Sequence, residues 1–103
     1  MRVLITDGNE RAALAVTRAL GREQVEVVVG ADTQRSLAGS SRYCRKNFVY
    51  PSPHENPAGF VATILEMVRD HDIDAVFPIS DIAMHLIGPE RAQFERFTRL
   101  PSP

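Results

Sequence analysis

The stretch LITDGNERAALAVTRAL, residues 4–20, decides how the rest of the chain is read. Val3-Leu4-Ile5 is a short apolar run ended by Asp7-Gly8, the pattern of a strand buried on both faces of a parallel sheet. From about Glu10 to Gly21, Ala13, Val16, Thr17 and Leu20 recur at helical spacing, while Arg11, Arg18 and Arg22 can face water. Gly21 is suited to ending that helix. Val25-Glu26-Val27-Val28-Val29, rich in β-branched residues, then stops at Gly30. Strand, helix and strand follow one another at the length of a βαβ unit, whose crossover is expected to be right-handed.

Working outward, ADTQRSLAGSSRYCRK (31–46) is too long and polar for a plain turn and reads as a loop with a short helical turn. Asn47-Phe48-Val49-Tyr50 predicts a third strand, closed by PSPHENP (51–57), whose prolines cannot continue a ladder. Asn56-Pro57 sets an N-cap followed by proline at the first helical position. The second helix should run to about Asp72 with Val61, Ile64, Leu65 and Val68 inward. Asp74 to Ile79 predicts strand four, and Ser80 caps a helix carrying Ile82, Leu86 and Ile87. Gly88-Pro89 interrupts that helix, after which Phe94 and Phe97 are expected to pack a last turn. Strands alternating with helices imply an α/β fold: a doubly wound parallel sheet of about four strands, with helices on both faces. In the usual order, strands one and four lie side by side and ligands bind beyond their carboxyl ends.

The chain's 103 residues are enough for one modest core, and 44% hydrophobic with 24% charged residues is an ordinary globular balance. Twelve Lys plus Arg against thirteen Asp plus Glu give a formal net charge of -1, which removes the electrostatic case for nucleic acid or an anionic membrane as partner. The single Cys44 cannot pair internally, and no Cys or His spacing offers a zinc site. The opening residues reach Thr6-Asp7 too soon for a signal peptide's apolar region, so a cytoplasmic location is expected.

Against the dinucleotide fingerprint G-x-G-x-x-G/A, the first turn supplies Gly8, Glu10 and Ala13. The second position fails. Its glycine lets backbone approach a pyrophosphate, whereas Glu10 adds bulk and negative charge beside a negative ligand. Asp32 stands where a ribose-binding acid is expected, yet an Asp after a strand is a routine turn residue. No Walker sequence occurs. Asp81 and His85 share a helix face but have no third partner, and His54 and His71 read as ordinary loop and helix-end histidines. Arg42, Arg45 and Lys46 read as a solvated basic face, Ser36, Ser40 and Ser41 lack a nucleophile elbow, and Cys44 reads as a small buried hydrophobe.

The succession VLITDG (3–8), SLAGSSRY (36–43), FVYPSP (48–53) and IDAVFPISD (73–81) resembles the amino-terminal, Rossmann-like domain that precedes the ATP-grasp module, nearest to carbamoyl-phosphate-synthase-like and carboxylate–amine ligases. On that resemblance residues 1–99 form the domain, and residues 100–103 lead toward ATP-grasp lobes in the same polypeptide. The resemblance implies ATP-dependent joining of a carboxylate to an amine through an acyl-phosphate. ATP and magnesium would be held by those lobes, with no catalytic, cofactor or metal residue in this chain, which alone is expected to be inactive. The turns that carry over as a substrate-facing wall are Asp7, Gly8 and Asn9 after strand one and Ser80 and Asp81 after strand four. The implied partners are a small carboxylate or amine substrate and, through surface a neighbouring lobe would cover, a second copy of the chain. The competing readings are a free-standing nucleotide-binding or oxidoreductase half-domain, disfavoured by Glu10, and a protein-interaction module using the edge of strand four.

Overall fold

The computed structural model describes residues 1–101. Its elements are β1 (Arg2–Ile5), α1 (Arg11–Arg22), β2 (Glu26–Ala31), β3 (Cys44–Val49), α2 (Pro57–Asp70), β4 (Ala75–Phe77), α3 (Asp81–Ile87), a 3-10 turn (Gly88–Glu90) and α4 (Arg91–Phe94). The four strands are all parallel in the order β3-β2-β1-β4. The chain therefore builds outward from β1 through β2 to β3, and then returns across the sheet by way of α2 to place β4 on the other side of β1. That reversal sets the carboxyl ends of β1 and β4 next to each other.

Strand alternation divides the core. Val3 and Ile5, in register with Val27 and Val29 of β2, face Ala13 of α1 and Ala38. Leu4, Val28 and Val76 point to the opposite face, where Phe60, Ile64 and Val68 of α2, Ala83 and Ile87 of α3 and Phe94 of α4 cover them. Leu4 and Ile5 are completely buried, and each such side chain contributes roughly 1.5–3 kcal/mol of transfer free energy. This two-faced burial explains why β1 and β2 read as apolar runs rather than as alternation. Helix α2 starts as its sequence dictates: the Asn56 side chain accepts the Gly59 N–H at 3.0 Å, with Pro57 at the first helical position.

Several boundaries differ from expectation for identifiable reasons. Helix α1 does not end on Gly21. It runs to Arg22, and the reversal falls on Gln24, which takes a left-handed φ of 67°. The Val25 N–H reaches the Leu20 carbonyl at 3.1 Å and the Gln24 N–H reaches Gly21 at 3.0 Å, the paired bonds of a Schellman motif. Gly21 instead lies against Tyr43, where a Cβ would come within 2.5 Å of that side chain. Strand β3 begins at Cys44 rather than Asn47, and Tyr50 lies just past its end. Cys44 pairs with Val27 and Lys46 with Val28, so Arg45 is an extra residue at a bulge. As an edge strand β3 keeps Arg45, Lys46 and Asn47 exposed, and this polarity hid it among loop residues.

At the other edge, β4 is shorter than expected, and it is not left open. Arg99 forms a parallel bridge with Ala75: its carbonyl accepts the Val76 N–H at 2.9 Å, and its N–H donates to the Asp74 carbonyl at 3.1 Å. The edge invoked for an interaction module is therefore partly occupied by the chain's own continuation. Phe94 is buried as expected, but Phe97 is 45% exposed and packs no core. Residues 102 and 103, the end of the expected connecting segment, lie outside the described residues. No helix is long and apolar enough to cross a membrane among those residues.

Candidate functional site at the ends of β1 and β4

The last residues of β1 run into a turn that is fastened to its neighbours on three sides. Thr6 is buried; its hydroxyl accepts the Ile79 N–H at 2.9 Å and donates its proton to the Asp7 carboxylate. The same carboxylate oxygen of Asp7, Oδ2, accepts the Ser80 N–H at 3.0 Å. Asp7 itself holds a left-handed φ of 61°, a conformation that Asp tolerates better than most residues. Its backbone N–H donates to the Tyr50 hydroxyl at 2.8 Å. Tyr50 is held in turn by its ring, which meets Phe60 edge-on at 4.7 Å between centroids.

The next residue serves packing. The Gly8 N–H donates to the Gly30 carbonyl at 2.9 Å, and the Gly8 carbonyl accepts the Ala38 N–H at 2.8 Å. A Cβ on Gly8 would lie 2.5 Å from Ser36 Oγ and 2.8 Å from a Val29 methyl. Glycine is therefore required here so that the segment around residues 36–39 can close over the turn. Ser36 Oγ accepts the Gly39 N–H at 3.0 Å, a loop-fixing role. Asn9 donates from its side chain to Thr33 Oγ at 3.0 Å, linking the turns after β1 and β2. Ser80 caps α3 by accepting the Ala83 N–H at 3.2 Å.

Between these turns lies a cleft of about 190 Å³, walled by Asp7, Asn9 and Glu10 from the β1 turn, Asp32 from the β2 turn, Tyr50 and His54 from the β3 turn, and Ser80 from the β4 turn. Three of the five expected substrate-facing residues, Asp7, Asn9 and Ser80, thus share one cleft. The other two do not line it: Gly8 is buried under Ser36, and Asp81 is exposed in the first turn of α3, where its charge suits the helix dipole. Glu10 and Asp32 join the wall, and so does His54, which the sequence presents only as a histidine between prolines. Tyr50 gives no sequence signal beyond standing at the carboxyl end of a strand.

The wall carries three carboxylates and no Lys or Arg. Burial pushes the Tyr50 phenol well above its ordinary range, and the nearby charges of Asp7, Asp32 and Glu10 push the same way against the opposing Asp7 N–H bond. The phenol therefore stays protonated at neutral pH. Among the described residues no three His, Cys, Asp or Glu side chains are grouped to hold a metal ion. The triphosphate of a nucleotide does not suit this wall either, because its charge has the same sign as the carboxylates.

Elsewhere, Asp81 and His85 are exposed on α3, and the His71 carbonyl accepts a hydrogen bond from the Arg2 guanidinium. Cys44 is half-buried and its thiol is pushed up by burial, as befits an unreactive packing residue. A scan against protein-family models finds no match for the chain, and a search of curated proteins finds none either.

Proposed function

We propose that this chain is the substrate-side, amino-terminal domain of an ATP-grasp ligase that joins a carboxylate to an amine through an acyl-phosphate. The observation that carries the reading is the cleft shared by Asp7, Asn9 and Ser80, where two turns 73 residues apart meet beyond adjacent parallel strands. That location is the ligand crevice of open α/β sheets. The α/β order β3-β2-β1-β4 and the motif succession through residues 3–81 support the same family. Phosphoryl chemistry is assigned to lobes beyond this chain, because Glu10 stands where a phosphate-cradling turn needs glycine and the cleft wall is anionic. ATP and magnesium do not fit the residues present here. This domain's part is to bind and orient the substrate.

Two measurements test the reading together. The gene that encodes the chain, read past Pro103, is expected to specify two ATP-binding lobes, and calorimetry on the chain alone is expected to detect no tight binding of Mg-ATP. A gene without such lobes, or micromolar Mg-ATP affinity in the chain itself, overturns it. The free-standing nucleotide-binding alternative makes the opposite prediction for calorimetry.

A further inference from the structure

We infer that the open edge of β3 accepts, as an added strand, an extended acidic peptide segment of a partner protein. The inference goes beyond the ligase reading and does not depend on it. The sheet treats its two edges differently. Arg99 closes the β4 edge: its carbonyl takes the Val76 N–H at 2.9 Å, and its own N–H reaches the Asp74 carbonyl. Strand β3 lies at the other end of the order β3-β2-β1-β4, and no other backbone pairs with the outer side of residues 46–49 among the described residues. Past the bulge at Arg45, those four residues run in regular parallel register with residues 28–31. Their outer amides and carbonyls therefore form a short, regular ladder ready for a further strand.

Charge selects the occupant. Arg42, Arg45 and Lys46 stand at the start of β3 and Arg22 at the neighbouring end of α1, and none of the four has an ion-pair partner among the described residues. Arg42 donates to the Tyr43 hydroxyl at 2.9 Å and lies 4.9 Å from the ring centre, and the charge of Arg22 acts on the same phenol. Glu26, the carboxylate lining the same hollow, is already held by Arg2 at 2.6 Å. A chain whose formal net charge is -1 thus gathers unpaired cations at one sheet edge. Two copies of β3 paired with each other would crowd both Arg45–Lys46 pairs into one short ladder, so the edge repels its own kind. An acidic segment meets the opposite situation: ladder bonds supply affinity, and the cations supply orientation and choice of partner. Val49, 47% exposed at the far end of the strand, offers an apolar contact to one side chain of the incoming segment.

The test is a titration of the 15N-labelled chain with a short peptide of alternating glutamate and threonine. Its controls are the same peptide N-methylated at every amide, the lysine counterpart, and an oligouridylate of equal charge. The glutamate peptide is expected to shift the amides of residues 44–49 saturably, at roughly millimolar concentration or below, and to slow hydrogen exchange within residues 46–49. The controls should not saturate there. The double variant Arg45→Gln, Lys46→Gln, altered at exposed positions and checked for retained amide dispersion, is expected to weaken the peptide by about tenfold or more. Arg42→Gln, outside the strand, should weaken it as well. Equal binding of the N-methylated peptide would reduce the edge to a diffuse positive field and overturn strand addition. Saturable binding of the oligouridylate at the same amides would overturn a peptide as the partner, and concentration-dependent broadening of residues 44–49 in the chain alone would give the edge to a second copy instead. No saturable shift from the glutamate peptide, or binding indifferent to the double substitution, would overturn the inference too. None of these outcomes decides whether ATP-binding lobes follow the chain, so failure here and failure of the ligase reading are separately visible.

Discussion

The Asp7 carboxylate accepts the backbone N–H of Ser80 at 3.0 Å, closing the turn after β1 onto the turn after β4. The same oxygen accepts the Thr6 hydroxyl, whose oxygen holds the Ile79 N–H, so a single side chain organises both walls of the cleft. Asp7→Ala removes the acceptor from a partly buried N–H and a buried hydroxyl while keeping the left-handed backbone strained. It is expected to lower unfolding stability by about 1–3 kcal/mol in urea titration. Asp7→Asn, which retains an acceptor oxygen and tolerates the same φ, should lose clearly less. Equal losses would show that the carboxylate's bridging bonds contribute little.

Gly8 separates a packing role from a ligand role. A methyl group there collides with Ser36 Oγ and Val29 at under 3 Å. Gly8→Ala is expected to cost about 1–3 kcal/mol, measured by denaturation, as an overpacked site does. A variant as stable as the parent would mean that the segment around Ser36 yields easily and is not fixed by Gly8.

Tyr50 ties the floor of the cleft to β1. Tyr50→Phe keeps the edge-on contact with Phe60 but leaves the Asp7 N–H without its acceptor, a loss of about 1–3 kcal/mol. The phenol also has a signature in pH. Its folded pKa lies above the unfolded value of about 10, so the stability it contributes is fully present below pH 10 and is lost as pH rises further. Stability should fall by about 1.4 kcal/mol per pH unit above that point in the parent chain. In Tyr50→Phe this component should be absent. Parallel pH profiles for the two proteins would contradict the burial of the phenol.

Gln24 occupies the left-handed position that ends α1, where glycine avoids the Cβ penalty. Gln24→Gly is expected to raise stability by about 0.5–1 kcal/mol, the relief of backbone strain exceeding the added freedom of the unfolded chain. A loss of similar size in thermal melts would show that the Gln24 side chain makes a stabilising contribution of its own.

Those residues mark what was readable in advance. The buried strands β1 and β2 and the capped starts of α2 and α3 were legible because each rests on local chemistry: β-branched runs, Asn56-Pro57, Ser80. Their alternation implied the parallel sheet, and the switch between β1 and β4 placed Asp7, Asn9 and Ser80 in one cleft. Strand β3 was blurred because an exposed edge selects charge rather than an apolar run. Gly21 misled because a glycine required by contact with Tyr43 looks the same in sequence as one required by a helix end. Tyr50 and His54 join the cleft only through pairing between segments far apart in the chain, and no local spacing announces that, whereas Glu10 and Asp32 stand at fingerprint positions of the first two turns. Gly8 and Asp81 were drawn in by their neighbours, although one packs against Ser36 and the other sits at a helix start.

The central claim, that the β1–β4 cleft holds the substrate, is tested most directly by steady-state kinetics of the ATP-grasp protein proposed to carry this domain. Asn9→Ala should be compared there with Thr33→Ala. Both remove the 3.0 Å bond between Asn9 and Thr33, but only Asn9 lines the cleft. Asn9→Ala is expected to raise KM for the carboxylate or amine substrate that the domain receives by about tenfold with KM for ATP unchanged, while Thr33→Ala leaves both near the parent values. Unchanged substrate KM in Asn9→Ala, or the same rise in Thr33→Ala, would contradict the claim.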